Sequence, residues 1–166
     1  MTIKDNFKIR EALPSDIETI LTLITELATY ERAKDSVKAT TEILEKNLFP
    51  KDGSRPYAFC LIGEWEGEIA SFCVYCTNFS TWIGKPGLYI EDIYVRPEYR
   101  GRGIGKLYFR ELARIAKEKE YERIDWVVLN WNEPSIKFYE SLGAFPLSEW
   151  STFRLTGKAL ENLGNQ

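Results

Sequence analysis

Residues 88–106 read LYIEDIYVRPEYRGRGIGK, an apolar and aromatic run that ends in a basic, glycine-rich loop. Two adjacent carboxylates, Glu91 and Asp92, interrupt the run. A buried carboxylate destabilises a strand unless it is paired or protonated. Neighbouring residues of a regular strand face opposite sides of the sheet, so both carboxylates can line one cleft only where the strand is irregular. We therefore predict a bulge or local twist near Glu91–Ile93.

The loop Arg100–Gly105 is predicted to join this strand to a helix. Its glycines at 101, 103 and 105 let several backbone N–H groups converge at the helix N-terminus, where the helix dipole favours an anion. Further positive charge comes from Arg96, Arg100, Arg102 and Lys106. The loop matches neither the dinucleotide fingerprint nor the P-loop pattern. It therefore predicts a phosphate or pyrophosphate site of another type.

The composition of the chain limits the classes of partner and of chemistry that it can have. The 166 residues suit a single domain over residues 1–166, and the net charge of -3 indicates neither a nucleic-acid surface nor a membrane anchor. Because no apolar run is long enough for a signal peptide or a membrane span, we expect a cytoplasmic protein with no nucleic-acid or membrane partner. The sequence has no histidine, which excludes catalytic triads that use histidine and zinc motifs of the H-E-x-x-H type. Acid–base chemistry then falls to carboxylates, tyrosine, lysine, cysteine or water, and no metal is expected.

Each of the cysteines Cys60, Cys73 and Cys76 lies in a predicted strand. Cys73 and Cys76 form a nominal C-x-x-C, but residues three apart on a strand face opposite sides of the sheet. We therefore predict reduced thiols rather than a metal site, a redox pair or an acyl carrier.

Hydrophobic periodicity and turn signals predict an α/β fold with the element order β-α-α-β-β-β-α-β-α-β. The sheet is expected to be mixed, mostly antiparallel and flanked by helices. RIDWVVL (123–129) reads as a buried strand, and the following helix is predicted to be capped by Asn132 and to end near Gly143. A last strand is predicted at about Trp150–Leu155.

The run Arg100-Gly101-Arg102-Gly103-Ile104-Gly105, together with this element order, resembles the GNAT superfamily of acetyl-CoA-dependent N-acetyltransferases. In that superfamily a loop of this pattern holds the CoA pyrophosphate. Four further stretches are similar to the diamine (spermidine/spermine) and thialysine acetyltransferase branch: ELATYE (26–31), WIGK (82–85), YIEDIYV (89–95) and WNEPSIKFYESLGA (131–144). The resemblance implies acetyl-CoA as co-substrate, a small-molecule amine as acceptor and a homodimer.

The resemblance also implies roles for particular residues. Tyr139 corresponds to the acid that protonates the departing thiolate, and Glu91 to the base, acting directly or through water. The implied cofactor-binding residues are Ile93, Tyr94, Val95, Arg100, Gly101, Arg102, Gly103, Ile104, Gly105, Lys106, Asn132 and Ser135. The implied substrate-binding residues are Tyr30, Glu31, Trp82 and Asp92. For Trp82 a surface loop position is the alternative, and for Glu31 a solvated helix-end charge.

The chemistry agrees with these roles. An alkylamine with a pKa of about 10.4 is an ammonium at neutral pH, so it needs a base before it can attack a thioester. A partly buried carboxylate such as Glu91 would have a raised pKa and could accept the proton. We expect direct transfer in a ternary complex to a diamine, a polyamine or a thialysine-like amine. A protein or peptide amine acceptor, and a non-catalytic acetyl-CoA-binding module, are the alternatives.

Overall fold

The computed structural model describes residues 6–165, which divide into two compact units at Val127 and Val128. The single-domain organisation stays a prediction. The helices and strands of the first unit are β1 Phe7–Glu11, α1 Ile17–Tyr30, α2 Thr41–Leu48, β2 Phe59–Trp65, β3 Glu68–Ser80, β4 Lys85–Val95, α3 Ile104–Glu118 and β5 Ile124–Trp126. None of the helices within residues 6–165 has the length and apolar character that crossing a bilayer requires.

The five strands form one mixed sheet in the order β1-β2-β3-β4-β5. The strands β1 to β4 pair antiparallel, and β5 pairs parallel to β4. Between β2 and β3 the turn residues Glu66 and Gly67 both have positive φ, 52° and 88°, as a two-residue hairpin turn requires. The predicted mixed, mostly antiparallel sheet is confirmed.

Each face of the sheet carries its own apolar cluster. We call the side covered by α3 the α3 face, where Tyr108 and Leu112 are completely buried. We call the opposite side, where Ile20 and Leu23 of α1 are completely buried, the α1 face. Because side chains of β3 alternate, Cys73 and Tyr75 pack on the α3 face, whereas Phe72 and Val74 pack on the α1 face.

A buried polar pair lies on the α3 face. The hydroxyl groups of Ser71 and Tyr108 lie 3.1 Å apart and share a hydrogen bond, and both residues are completely buried. Gly63 lies directly beside them: a Cβ atom there would stand 2.2 Å from the Ser71 Oγ and 2.6 Å from the Tyr108 hydroxyl. The absence of a side chain at Gly63 is therefore what makes room for the pair.

The second unit contains two helices, α4 Glu133–Ser141 and α5 Gly157–Gly164. Asn132 caps α4 as predicted, because its side chain accepts a hydrogen bond from the backbone N–H of Ser135. The helix stops just before Gly143, which has a φ of 89°. The cap and the stop are confirmed.

Two predicted strands at the C-terminal end need correction. The predicted strand Trp150–Leu155 is wrong, because residues 142–156 form neither helix nor strand and Phe153 is 94% exposed. A strand needs a neighbour for its backbone groups, and the described part of the second unit contains no strand that could supply one. The predicted strand at 123–129 is shorter than expected, since β5 pairs only with Leu88–Ile90 of β4.

Candidate active site

The strand β4 carries a β-bulge at the two carboxylates. Val74 of β3 pairs with Asp92 while the next residue, Tyr75, pairs with Ile90, so Glu91 is an extra residue in β4. The predicted irregularity is confirmed. The bulge shifts the alternation by one residue, so Ile90 and Ile93 both pack on the α3 face. Glu91 and Asp92 therefore both lie on the α1 face.

These two side chains and Glu31, the residue that follows α1, form a group that we call the acidic cluster. Burial and the nearby charges of Glu31 and Glu91 raise the pKa of Asp92 to about 6. Burial also raises the pKa of Glu31. Among residues 6–165, none of the three carboxylates forms an ion pair with an arginine or a lysine. The cluster is therefore suited to receive a cation.

The structure corrects one expectation about burial within this cluster. The sequence predicted that Glu91 is partly buried, but its side chain is exposed and Asp92 is the half-buried residue of the two. The thiol of Cys76 donates a weak hydrogen bond to the Glu91 Oε1 over 3.8 Å. Sequence reasoning missed this neighbour. Once the bulge is known, the signal is available, because Cys76 and Val74 are two residues apart on β3 and so share the α1 face.

The predicted anion loop has the expected backbone at two of its three glycines, whereas Gly105 lies within the helix that follows. Gly101 and Gly103 have φ values of 74° and 77°, a region that glycine adopts without strain. Gly103 is the N-cap of α3, which begins at Ile104 and runs for 15 residues. The N–H groups of the first turn have no acceptor within the helix and point toward the loop. With the positive end of the helix dipole beside them, they fit a pyrophosphate group.

One predicted source of positive charge is already paired. The guanidinium of Arg96 donates to both carboxylate oxygens of Glu26 on α1, at 2.9 to 3.2 Å, and to the carbonyl oxygen of Ile69 at 2.9 Å. This ion pair ties the residue that follows β4 to α1. Arg96 is therefore a structural cation rather than a free charge for an anion.

The C-terminal half of β4 forms an open edge of the sheet within the described part of the first unit. Because β5 pairs only with Leu88–Ile90, residues 91–95 have β3 on one side and, within residues 6–127, no strand on the other. Backbone N–H and C=O groups on such an edge can bind an extended ligand that carries amide groups. The predicted cofactor-binding residues Ile93, Tyr94 and Val95 lie on this segment.

The predicted substrate-binding residues do not all come together. Tyr30 and Glu31 lie at the end of α1, and Tyr30 packs against the anion loop. Trp82 lies in the turn between β3 and β4 and is 88% exposed. Strand residues from Lys85 to Asp92 separate that turn from the acidic cluster, a distance of about 20 Å. The first unit therefore does not bring Trp82 to the acidic cluster. The role of Trp82 in binding the acceptor stays a prediction.

The remaining predicted residues belong to the second unit. The Asn132 Oδ1 accepts the backbone N–H of Ser135 at 3.4 Å. The spacing of Asn132, Ser135 and Tyr139 places all three on one face of α4. The ring of Tyr139 lies 5.5 Å from that of Phe138, centroid to centroid. Their roles in binding and catalysis stay predictions.

Comparison with known proteins shows the family. The sequence profile described as "Acetyltransferase (GNAT) family" matches residues 20–144. This chain therefore belongs to the GNAT acetyltransferase family. The names of its relatives agree with the predicted branch of acetyltransferases. The assignment as an acyltransferase enzyme is confirmed.

The chain is 38% identical to a thialysine N-epsilon-acetyltransferase of Bos taurus, and the alignment covers 95% of this chain and 97% of that protein. It is 35% identical to a spermidine/spermine N(1)-acetyltransferase-like protein 1 of Homo sapiens, over 96% of this chain and 24% of that longer protein. Among solved structures, an integron cassette protein from the mobile metagenome of V. cholerae superposes with a TM-score of 0.78. It is 23% identical and covers 97% of this chain and 99% of its own, which supports the fold alone.

Proposed function

We propose that this enzyme transfers the acetyl group of acetyl-CoA to a small primary amine that carries a second positive charge. Diamines, polyamines and thialysine-like amino acids form this class. The observation that carries the proposal is the acidic cluster at the bulge of β4 and the end of α1, whose three carboxylates make no ion pair with an arginine or a lysine among the described residues. The names of the relatives support the same class of acceptor.

The donor is proposed to bind along β4 and the anion loop. The N–H groups at the start of α3 would hold the pyrophosphate, together with Arg100, Arg102 and Lys106. The open edge of residues 91–95 would bind the amide groups of the pantetheine arm. Acetyl-CoA would supply a thioester carbonyl at the end of that arm. The chain itself binds and orients the donor through backbone donors that need no reorganisation.

The acceptor is proposed to bind as an ammonium in the acidic cluster. Glu91 takes one proton from it, directly or through water, and the free amine attacks the thioester carbonyl. A C–N bond forms and the C–S bond breaks. Tyr139 gives a proton to the departing thiolate and regains one from the attacking nitrogen, which still carries an extra proton after attack, while the proton on Glu91 passes to solvent. Asp92 positions the ammonium. It is also a second candidate for the base, because its pKa of about 6 lies near neutral pH.

Further parts of the proposal rest on the resemblance. Asn132 and Ser135 are proposed to help hold the donor, and Tyr30 and Trp82 to contact the acceptor. The transfer is proposed to be direct, in a ternary complex, without an acyl-enzyme. The enzyme is proposed to be a cytoplasmic homodimer.

The test is a panel of amines incubated with acetyl-CoA, with CoA release as the readout. The panel contains alkylamines, diamines, polyamines, amino acids with a side-chain amine, and peptides with free amines. We expect turnover of small amines that carry a second charge. Tyr139→Phe and either Glu91→Gln or Asp92→Asn should lower kcat by about 100-fold or more.

Matched controls are Tyr57→Phe, at a tyrosine that is 80% exposed, and Glu68→Gln, at an exposed carboxylate.

Turnover of peptides alone would replace the proposal by a protein acetyltransferase. CoA binding without turnover of any amine would indicate a non-catalytic module. Of Glu91→Gln and Asp92→Asn, the variant with the larger loss of kcat identifies the base.

A further inference from the structure

Two arginines of the anion loop stack on aromatic rings, but in different places. The guanidinium of Arg100 lies 4.9 Å from the ring centroid of Tyr30 and 5.5 Å from that of Tyr94. The guanidinium of Arg102 lies 4.5 Å from the ring centroid of Trp65 and 5.5 Å from that of Tyr99. Both are within the range of a cation–π interaction. Only Arg100 therefore reaches toward the acidic cluster.

The two rings beside Arg100 belong to the two elements that carry the acidic cluster. Tyr30 is the last residue of α1 and immediately precedes Glu31. Tyr94 follows Asp92 by two residues on the same face of β4. The backbone of Arg100, in turn, precedes Gly101, where the anion loop turns. Arg100 thus connects the loop to both sides of the acceptor site.

The guanidinium has donors left for an anion while it stacks. Its Nε donates to the carbonyl oxygen of Val95 at 2.9 Å, which fixes the plane of the group. Within residues 6–165 its two terminal nitrogens make no hydrogen bond. Stacking uses the face of a guanidinium, whereas hydrogen bonding to phosphate uses its edge. Arg100 can therefore bind an anion at the loop without releasing Tyr30.

We infer that Arg100 is a positioning residue through which donor binding orders the acceptor site. This inference rests on the proposed function. An anion that fixes the loop and the edge of Arg100 also fixes the guanidinium face against Tyr30. The end of α1, and Glu31 with it, is then held against β4. Because coupling between two sites is reciprocal, each substrate strengthens binding of the other.

The end of α1 contains amides that report on this ordering. The backbone N–H groups of Glu31, Arg32 and Ala33 donate to the carbonyl oxygens of Leu27, Thr29 and Ala28, at 2.8 to 3.1 Å. Their hydrogen exchange measures local opening of this turn. The experiment compares hydrogen exchange of residues 26–33 with and without saturating CoA, so it does not require the acceptor to be known.

We expect CoA to slow exchange of this segment about fivefold in the wild type, and less than twofold in Arg100→Lys and Tyr30→Leu. Tyr30→Phe should keep the wild-type slowing because it keeps the ring. The matched control is Arg102→Lys: it should weaken CoA binding yet, at saturating CoA, keep the full slowing at residues 26–33. Retention of full slowing in either Arg100→Lys or Tyr30→Leu would overturn the inference.

Failure of the inference and failure of the proposed function give different results. If CoA binds and an amine turns over but exchange of residues 26–33 does not change, the inference is wrong and the proposed function stands. If CoA does not bind the wild type at all, the proposed function is wrong and the inference falls with it. Tyr30→Leu keeps the test decisive if Arg100→Lys does not fold.

Discussion

The two faces of the central strands β3 and β4 differ in how their polar side chains are paired. On the α3 face the buried polar groups are paired, since the hydroxyl groups of Ser71 and Tyr108 share a hydrogen bond among apolar side chains. On the α1 face, at the bulge, three carboxylates lie together and the pKa of Asp92 rises to about 6. The first arrangement stabilises the fold. The second destabilises it, and a bound ammonium would relieve the repulsion, as expected if the α1 face at the bulge is the proposed acceptor site.

The largest expected effect comes from overfilling the α3 face. In Gly63→Ala the new Cβ would stand 2.2 Å from the Ser71 Oγ and 2.6 Å from both the Phe7 ring and the Tyr108 hydroxyl. Strand and side chains must shift, and the buried hydrogen bond is broken. We expect a loss of about 3 kcal/mol in the free energy of unfolding, measured by urea denaturation.

The control for that substitution is Gly164→Ala, at a glycine with no heavy atom within 4 Å of a new Cβ. This substitution should change the free energy of unfolding by less than about 0.5 kcal/mol. Equal stabilities of Gly63→Ala and the wild type would contradict the close packing described for the α3 face.

A smaller effect of opposite sign is expected on the α1 face. The folded-state pKa of Asp92 lies above the unfolded value of 3.8, so the folded protein binds the proton more tightly. The destabilisation is complete above pH 6 and absent below about pH 3.8. Asp92→Asn should therefore stabilise the protein at pH 7.5 by on the order of 1–2 kcal/mol, and the gain should fade as the pH falls to 4.

Thermal unfolding of both proteins across this pH range measures the difference. Glu68→Gln, at an exposed carboxylate, is the control and should show no such pH-dependent gain. A stability difference between Asp92→Asn and the wild type that is constant from pH 4 to 7.5 would show that folding does not raise the pKa of the Asp92 carboxyl group.

Much of the fold could be predicted from the sequence because the relevant signals are local. Asn132 and Gly143 delimit α4 as expected. The bulge was also predictable, since two adjacent carboxylates in a buried strand conflict with regular alternation. In each case a few neighbouring residues carry the physical reason.

The errors concern properties that depend on distant residues. A strand at Trp150–Leu155 requires a pairing partner, and β5 pairs only with Leu88–Ile90, the residues of β4 just before the bulge. The direction of a bulged side chain, which exposes Glu91 and half-buries Asp92, depends on the packing of α1 against the sheet. The pairing of Arg96 with Glu26 joins residues 70 positions apart. No local pattern encodes these contacts.

In the proposed function, the acidic cluster selects an amine with a second positive charge. The most direct test is the ratio of kcat/KM for a diamine to that for an alkylamine of the same chain length, in the wild type and in Glu31→Gln. We expect the wild type to prefer the diamine by about tenfold or more, equivalent to about 1.4 kcal/mol, and the variant to lose most of this preference. An equal preference in both proteins, or none in the wild type, would contradict the assignment of the acidic cluster as the acceptor site.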